Sequence, residues 1–190
     1  IAEFATGNFA TYSVRLPTNG ILESRAADWT LDNLGLFLQD TWAYNYNLSV
    51  NYGVRVDIPN TGDRPQFNQS VYNTYGLRND GTIDGNAVVQ PRVGFNYTFD
   101  SERPTQVRGG FGLFQGSTPG VWLSNSFQNN GLNFFEISLR NQGGFTGDPD
   151  HPLCPAPCNP STGRQVVDIL SPDFQQPTVW KGNLAFDHEL

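Results

Sequence analysis

From Leu48 to Ile58 every second residue is apolar or aromatic. Leu48, Val50, Tyr52, Val54, Val56 and Ile58 alternate with Ser49, Asn51, Gly53, Arg55 and Asp57. Period-two alternation predicts a β-strand over 47–58 with one greasy and one wet face. Four further segments carry the same signal. Over 34–42, Leu34, Leu36, Leu38 and Trp42 share a face interrupted by Asp40, and Gly35, Phe37, Gln39 and Thr41 share the other. Over 92–100, Val93, Phe95, Tyr97 and Phe99 oppose Arg92, Gly94, Asn96, Thr98 and Asp100. Over 105–115, Val107, Phe111 and Leu113 oppose Gln106, Arg108, Gly110 and Gly112. Over 178–190, Trp180, Leu184 and Phe186 oppose Lys181, Asn183 and Asp187. The stretch TYSVRLP at 11–17 reads as a sixth, shorter strand.

The connections alternate in length. AYNYN (43–47) and SERP (101–104) are short turns, whereas 59–91 and 116–177 are long and rich in Asn, Gly, Pro and Asp. Long loops are uncommon in compact soluble domains. Here they recur at every other connection, the pattern of an antiparallel transmembrane β-barrel with short turns at one end and long loops at the other. A tilted barrel strand crosses the hydrocarbon in about 9–11 residues, which these segments match. Trp42, Tyr44, Tyr46, Phe99 and Trp180 lie near strand ends, where interfacial aromatic girdles form.

This reading makes Val50, Val54, Val56, Val93, Phe95, Phe111 and Leu113 lipid-facing. It makes Asn51, Arg55, Asp57, Arg92, Asn96, Arg108, Lys181 and Asn183 lumen-facing. Strands 34–42 and 92–100 are expected to run inward and strands 47–58 and 105–115 outward, with both short turns on the periplasmic side. A soluble antiparallel sandwich with one solvated face produces similar alternation, but it accounts less well for the long loops.

Composition narrows the function classes. The chain has 190 residues and a net charge of −7, with no Met and only 15% charged residues. An acidic chain lacks the basic stripe that nucleic acid or an anionic membrane surface requires. No run of apolar residues is long enough for a transmembrane helix, and residues that favour long helices do not cluster at helical spacing. The chain starts at Ile1 and shows no leader, so it reads as a mature product or a piece of something longer.

Candidate chemistry is sparse. RGGFG (108–112) lacks the spacing of a phosphate loop, and glycines in a strand more often mark curvature or close backbone approach. In NDGTIDGN (79–86), Asp80, Thr82 and Asp84 alternate as in a calcium loop, but Pro91 stands where the terminal Glu belongs. Asp-Gly pairs are also ordinary turn formers. No nucleophile–base arrangement or carboxylate pair is apparent, so neither enzymatic activity nor a cofactor or metal is expected. Cys154 and Cys158, in CPAPC, are too few for a zinc site and spaced wrongly for a C-x-x-C redox motif. A local disulfide is the plainer reading, with free thiols the alternative.

Taken together, LGLFLQDTWAYNYNLSVNYGVRVDIP (34–59), QPRVGFNYTFD (90–100), TQVRGGFGLFQGSTPGVWLSNSFQNNG (105–131) and SPDFQQPTVWKGNLAFDHEL (171–190) resemble TonB-dependent outer-membrane receptors. The likeness is to the Oar-like group, in which a carboxypeptidase-regulatory-like domain precedes plug and barrel. It implies a bacterial outer-membrane protein whose 22-stranded barrel closes around a plug. Such receptors import a scarce nutrient (a siderophore, oligosaccharide or peptide) with energy from TonB. By that likeness the whole of 1–190 is a partial barrel domain of about five or six strands, without plug or TonB box. Its partners would be outer-membrane lipid, the rest of the barrel, the plug, TonB and a small-molecule or peptide ligand. The long loops would offer Trp122, Phe127, Phe134 and Phe135 to that ligand. The alternative is a β-rich surface or secreted adhesion module that holds carbohydrate or protein with the same aromatic loops.

Overall fold

A computed structural model describes residues 5–22, 26–156, 158–159 and 164–189. Seven strands and two short helices follow one another along the described chain. They are β1 (Phe9–Pro17), β2 (Asp32–Ala43), β3 (Leu48–Asn60), α1 (Gln69–Tyr75), β4 (Val88–Thr98), β5 (Thr105–Gln115), α2 (Gly120–Gln128), β6 (Phe134–Gln142) and β7 (Thr178–His188). They divide into two compact units.

One unit, Leu31–Gly62, Ile83–Pro119 and Asp173–Leu190, carries a five-stranded antiparallel sheet in the order β2-β3-β4-β5-β7. Alternation built these strands where the sequence predicts them, with shifted ends. β4 starts at Val88 rather than at 92, because Val89 and Pro91 continue the apolar period upstream. Pro91 has no N–H to give to a ladder, and the β4–β5 pairing begins only at Arg92, one residue later. β7 ends at His188, and Leu190, the expected end, lies outside the described residues.

The two tight turns are closed by their own polar groups. Tyr44 N–H donates to the Leu48 carbonyl at 3.0 Å, and the Asn45 carboxamide oxygen accepts from the N–H groups of Asn47 and Leu48 at 2.9 and 2.8 Å. Asn47 then ties this turn to the next by donating to the Thr98 carbonyl at 2.8 Å and to Asp100 at 2.9 Å. Successive strands are antiparallel, so the chain leaves this sheet for the second unit always at the same sheet end: before β2, between β3 and β4, and between β5 and β7.

The second unit, Ile1–Thr30, Asp63–Thr82 and Gly120–Pro172, holds the sixth expected strand and much of what the sequence reads as long loops. The segments 59–91 and 116–177 are therefore not unstructured: they hold α1, α2 and β6. β1 does not join the large sheet. It pairs with β6 instead, from Phe9 opposite Gln142 to Pro17 opposite Phe134. Leu16, Phe135 and Ile137 form a small core there, with Val14, Leu139 and Cys154 packed against it. On the opposite face Glu136 accepts from Arg15 at 3.4 Å and from Arg164 at 3.2 Å.

Asparagines tie the rest of this unit together. The Asn68 side chain caps α1 by accepting from Ser70 and Val71 N–H at 3.0 and 3.2 Å. Gly76 ends the helix in the left-handed region at φ 68, where a side chain would be strained. The Asn68 amide donates to the Asn130 carbonyl at 2.9 Å, and its backbone N–H donates to the Asn79 side chain at 2.8 Å. All three asparagines are buried. A buried amide must be hydrogen-bonded or it destabilises the fold, so this interlock fixes the backbone it touches.

Candidate functional site

The register sorts the five-stranded sheet into two chemically opposite faces. Directly opposed residues share a face, so the stripes line up across all strands. Leu38, Val54 and Pro91 form one row, and Trp42, Val50 and Phe95 another. Tyr52, Val93, Phe111 and Gly182 form a third, and Leu113 pairs with Trp180. Val56 lies opposite Leu36 and Val89 on the same face. This apolar face is uncovered: Leu38 is 77% exposed, Leu184 75% and Phe111 54%. A soluble domain rarely exposes a contiguous apolar patch of this extent.

Aromatic pairs mark the short-turn end of the same sheet. Trp42 meets Tyr44 edge-on at 5.3 Å, and Tyr97 meets Phe99 edge-on at 4.8 Å. Trp180 sits near the other end, stacked on Phe111 at 4.9 Å. Asp40 interrupts the apolar face within its span. Asp40 accepts a hydrogen bond from the Tyr52 hydroxyl at 3.0 Å, beside the aromatic end.

The opposite face collects Asn51, Arg55, Asp57, Arg92, Asn96, Arg108, Lys181 and Asn183, the eight residues that alternation assigns to it. Structure adds a network that joins Arg55, Asp57 and Arg92 through Gln90. Arg55 grips Asp57 with both Nε and Nη2, at 2.8 and 2.7 Å. Gln90 donates to the same carboxylate, and Asn33 reaches it at 3.4 Å. The Gln90 oxygen accepts in turn from Arg92 Nη2 at 3.1 Å and from the Gln115 N–H at 3.0 Å. Asp57 and Gln90 are buried in this network. Arg108 pairs with Asp187 at 3.2 Å, Asn51 accepts from Thr41 at 2.7 Å, and Asn96 accepts from Gln106.

Glycines let the long cations lie flat. A Cβ on Gly35 would collide with the Arg55 guanidinium, and one on Gly112 would come within 3.0 Å of Arg92 Cγ. Gln90 and Gln115 escape notice in the sequence because neutral amides match no motif; only their place at the ends of charged strands points to them.

The loop residues expected to meet a ligand divide. Trp122 is 57% exposed on α2. Phe127 stacks on Trp29 at 5.2 Å, whose indole N–H donates to Ser124 at 2.9 Å. Phe134 and Phe135 are corrected by the structure. They are strand residues of β6, each 3% exposed, with Phe135 in the β1–β6 core and Phe134 beneath the Arg15 guanidinium at 5.1 Å. Burial holds them away from any ligand; their role is packing.

Cys154 and Cys158 form the expected disulfide, with Cα atoms 5.5 Å apart. The carboxylates of the calcium-like stretch are engaged by protein groups. Asp84 accepts from the Thr61 N–H and hydroxyl, and Asp80 is held by Arg78. The Arg78 hydrogen bonds keep the Asp80 carboxyl below the usual carboxylate range, against an opposing push from burial. No cluster of metal-binding side chains occurs among the described residues. No helix among them is long and apolar enough to cross a membrane, which leaves crossing by strands open.

Compared with known families, the chain matches the model described as "Outer membrane beta barrel domain" over residues 1–190. No curated protein and no solved structure matches it.

Proposed function

The chain belongs to the outer membrane beta barrel domain family, and on that premise we propose that it forms wall and outer loops of a TonB-dependent receptor. In this reading a scarce nutrient, a siderophore, oligosaccharide or peptide, passes inward along the polar face. The location in the bacterial outer membrane and the association with lipid and further barrel strands follow from the family. Import, TonB and a plug are the proposal, and it assigns the chain no catalysis.

One observation carries it. A single sheet has an uncovered apolar face on one side and a charged, hydrogen-bonded face on the other. The first suits hydrocarbon and the second suits water, as in the wall of a barrel with an aqueous interior. The strand motifs that resemble TonB-dependent receptors support a receptor over a plain pore. So do the outer connections, which fold into a unit with its own core and disulfide.

The test uses the full-length parent protein in its own host. Cells lacking the parent gene, cells complemented with it, and complemented cells without the inner-membrane TonB complex are grown on single limiting nutrients. A growth defect on the same nutrient in the first and third strains supports the proposal. Growth that is restored by the parent gene yet indifferent to loss of the TonB complex refutes it, as does a parent polypeptide with no plug.

A further inference from the structure

A cavity of about 280 Å³ opens in the second unit beside the β1–β6 pair. Tyr12 and Val14 of β1 line it together with Phe145, Pro149, Pro152 and Leu153 of the connection after β6. Strand register decides which charges reach it. Tyr12, Val14 and Leu16 lie opposite Leu139, Ile137 and Phe135, so this is the face that carries the small core. Arg15 lies opposite Glu136, and Arg140 opposite Thr11, which puts both cations on the other face. The connection is seated by its backbone. Phe145 N–H donates to the Gly7 carbonyl at 3.1 Å, and a Cβ on Gly7 would come within 2.8 Å of the Phe145 carbonyl oxygen. The Tyr12 and Phe145 rings then meet at 5.9 Å, tilted by 56°.

Asp148 is the one charged residue in the lining among the described residues. One of its carboxylate oxygens accepts from the Asp150 N–H at 2.9 Å, and the other lies 2.9 Å from His151 Nδ1. The His151 hydrogen bond holds the Asp148 carboxyl below the usual carboxylate range, so the group is an anion at neutral pH. No Lys or Arg lies within ion-pair distance of it among the described residues. The surrounding chain supplies none either: between Arg140 and Arg164 the sequence has Asp148 and Asp150 and no Lys or Arg. The cavity is therefore apolar and aromatic with a single negative charge.

These features define a ligand group. The apolar lining suits an apolar stem, and the carboxylate suits a cation at its end. Aromatic rings beside the carboxylate favour a cation as well. Each Asp148 oxygen already has one protein partner, which fits a compact ammonium better than the two-pronged fork of a guanidinium. Pockets that enclose a whole small molecule run to roughly 300–1,000 Å³, so this smaller one takes a group of side-chain size. We propose that this cavity is a binding subsite for an aliphatic ammonium group, of the kind a lysine side chain carries. The proposal deepens the import reading, because access from the medium rests on this unit being the receptor's outer face.

The test is a ligand-observed NMR titration of the full-length parent receptor in detergent, with N-acetyl-lysine methylamide as probe. The norleucine counterpart has the same apolar stem without the ammonium, and a titration into detergent alone is subtracted from both. Saturable binding of the lysine probe in the millimolar range or tighter is expected, the scale for a ligand of this size. The norleucine counterpart should bind at least about threefold more weakly. Asp148→Asn should weaken the lysine probe by about threefold or more and leave norleucine unmoved. Tyr12→Leu keeps the wall apolar but removes the ring, and should weaken the lysine probe by about two- to fivefold. Asp148→Asn alters an exposed side chain and decides alone if Tyr12→Leu does not fold.

No saturable binding of the lysine probe, norleucine bound as tightly as lysine, or a lysine affinity unmoved by Asp148→Asn would each overturn the subsite. Binding needs no energised membrane, so the two readings fail separately. Lysine probe bound by a protein whose loss changes no uptake removes import and keeps the subsite; TonB-dependent growth on a nutrient without lysine-probe binding does the reverse.

Discussion

Leu38 offers a measurement in which water and lipid give different answers. It lies at the centre of β2, opposite Val54, and is 77% exposed. If the apolar face met water, Leu38→Arg would cost little. Full burial of a leucine contributes about 2 kcal/mol, and only about a quarter of this side chain is covered, so the loss would be about 0.5 kcal/mol. In hydrocarbon the same change carries a guanidinium to the membrane midplane, at about 2–4 kcal/mol. Gln39→Arg is the control. Its side chain belongs to the polar face, opposite Gly53, where an added charge meets water and costs at most about 0.5 kcal/mol.

The assay is urea unfolding of the full-length parent protein in liposomes, followed by tryptophan fluorescence and by heat-modifiable migration. The expected result is a lowered midpoint for Leu38→Arg and an unchanged one for Gln39→Arg. The two differ by a factor of about ten or more in the folded-to-unfolded ratio. Equal midpoints would refute the assignment of this face to lipid, and with it the barrel reading of the sheet.

Other outcomes follow from the same structure. Mass spectrometry of the unreduced protein should find Cys154 and Cys158 about 2 Da lighter than the dithiol, and quantitative alkylation without reductant would contradict the bridge. The Arg78–Asp80 pair sets a pH dependence. The folded carboxyl lies below its ordinary value of about 3.9, so its stabilisation is complete above that pH and is lost as pH falls through the lowered value. Hydrogen exchange across 67–80, corrected for intrinsic rates, should rise on acidification, and Asp80→Asn should abolish the rise. Epitope tags in intact cells fix orientation: a tag near Asp148 should be labelled and one in the turn at 101–104 should not, and the converse would reverse the topology.

How much of this could be read from the residues depends on the range of the forces involved. The five long strands are legible because one apolar face and one polar face impose strict alternation, and the signal survives without knowing which strands pair. The facing of Arg55, Arg92 and Lys181 follows from that period alone. β6 carries a local signal too, with Phe135, Ile137 and Leu139 alternating with Glu136, Ser138 and Arg140. Its partner β1, however, lies more than a hundred residues away in the chain, and nothing local specifies that pairing. The apolar residues therefore read as loop aromatics when they are core. The Gln90 bridge is hidden for a different reason. Gln90 is neutral, and its meeting with Asp57, Arg92 and the Gln115 N–H is tertiary, so no spacing announces it.

The polar face also shows how a charged wall stays smooth. Long cations that stood upright would narrow whatever passage the face lines. Here Arg55 lies over Gly35, folded onto the carboxylate two residues along its own strand, and Arg92 leans past Gly112 onto the Phe114 ring. The small residue that makes room sits on a neighbouring strand in each case. Strand register, then, and not the local sequence of either strand, decides whether the guanidinium lies down. A one-residue slip between β2 and β3 would set Arg55 beside a leucine and move Asp57 to the apolar face. The same register that segregates apolar from polar side chains thus keeps the Arg55–Asp57 pair, the Gln90 bridge and Arg92 together on one surface.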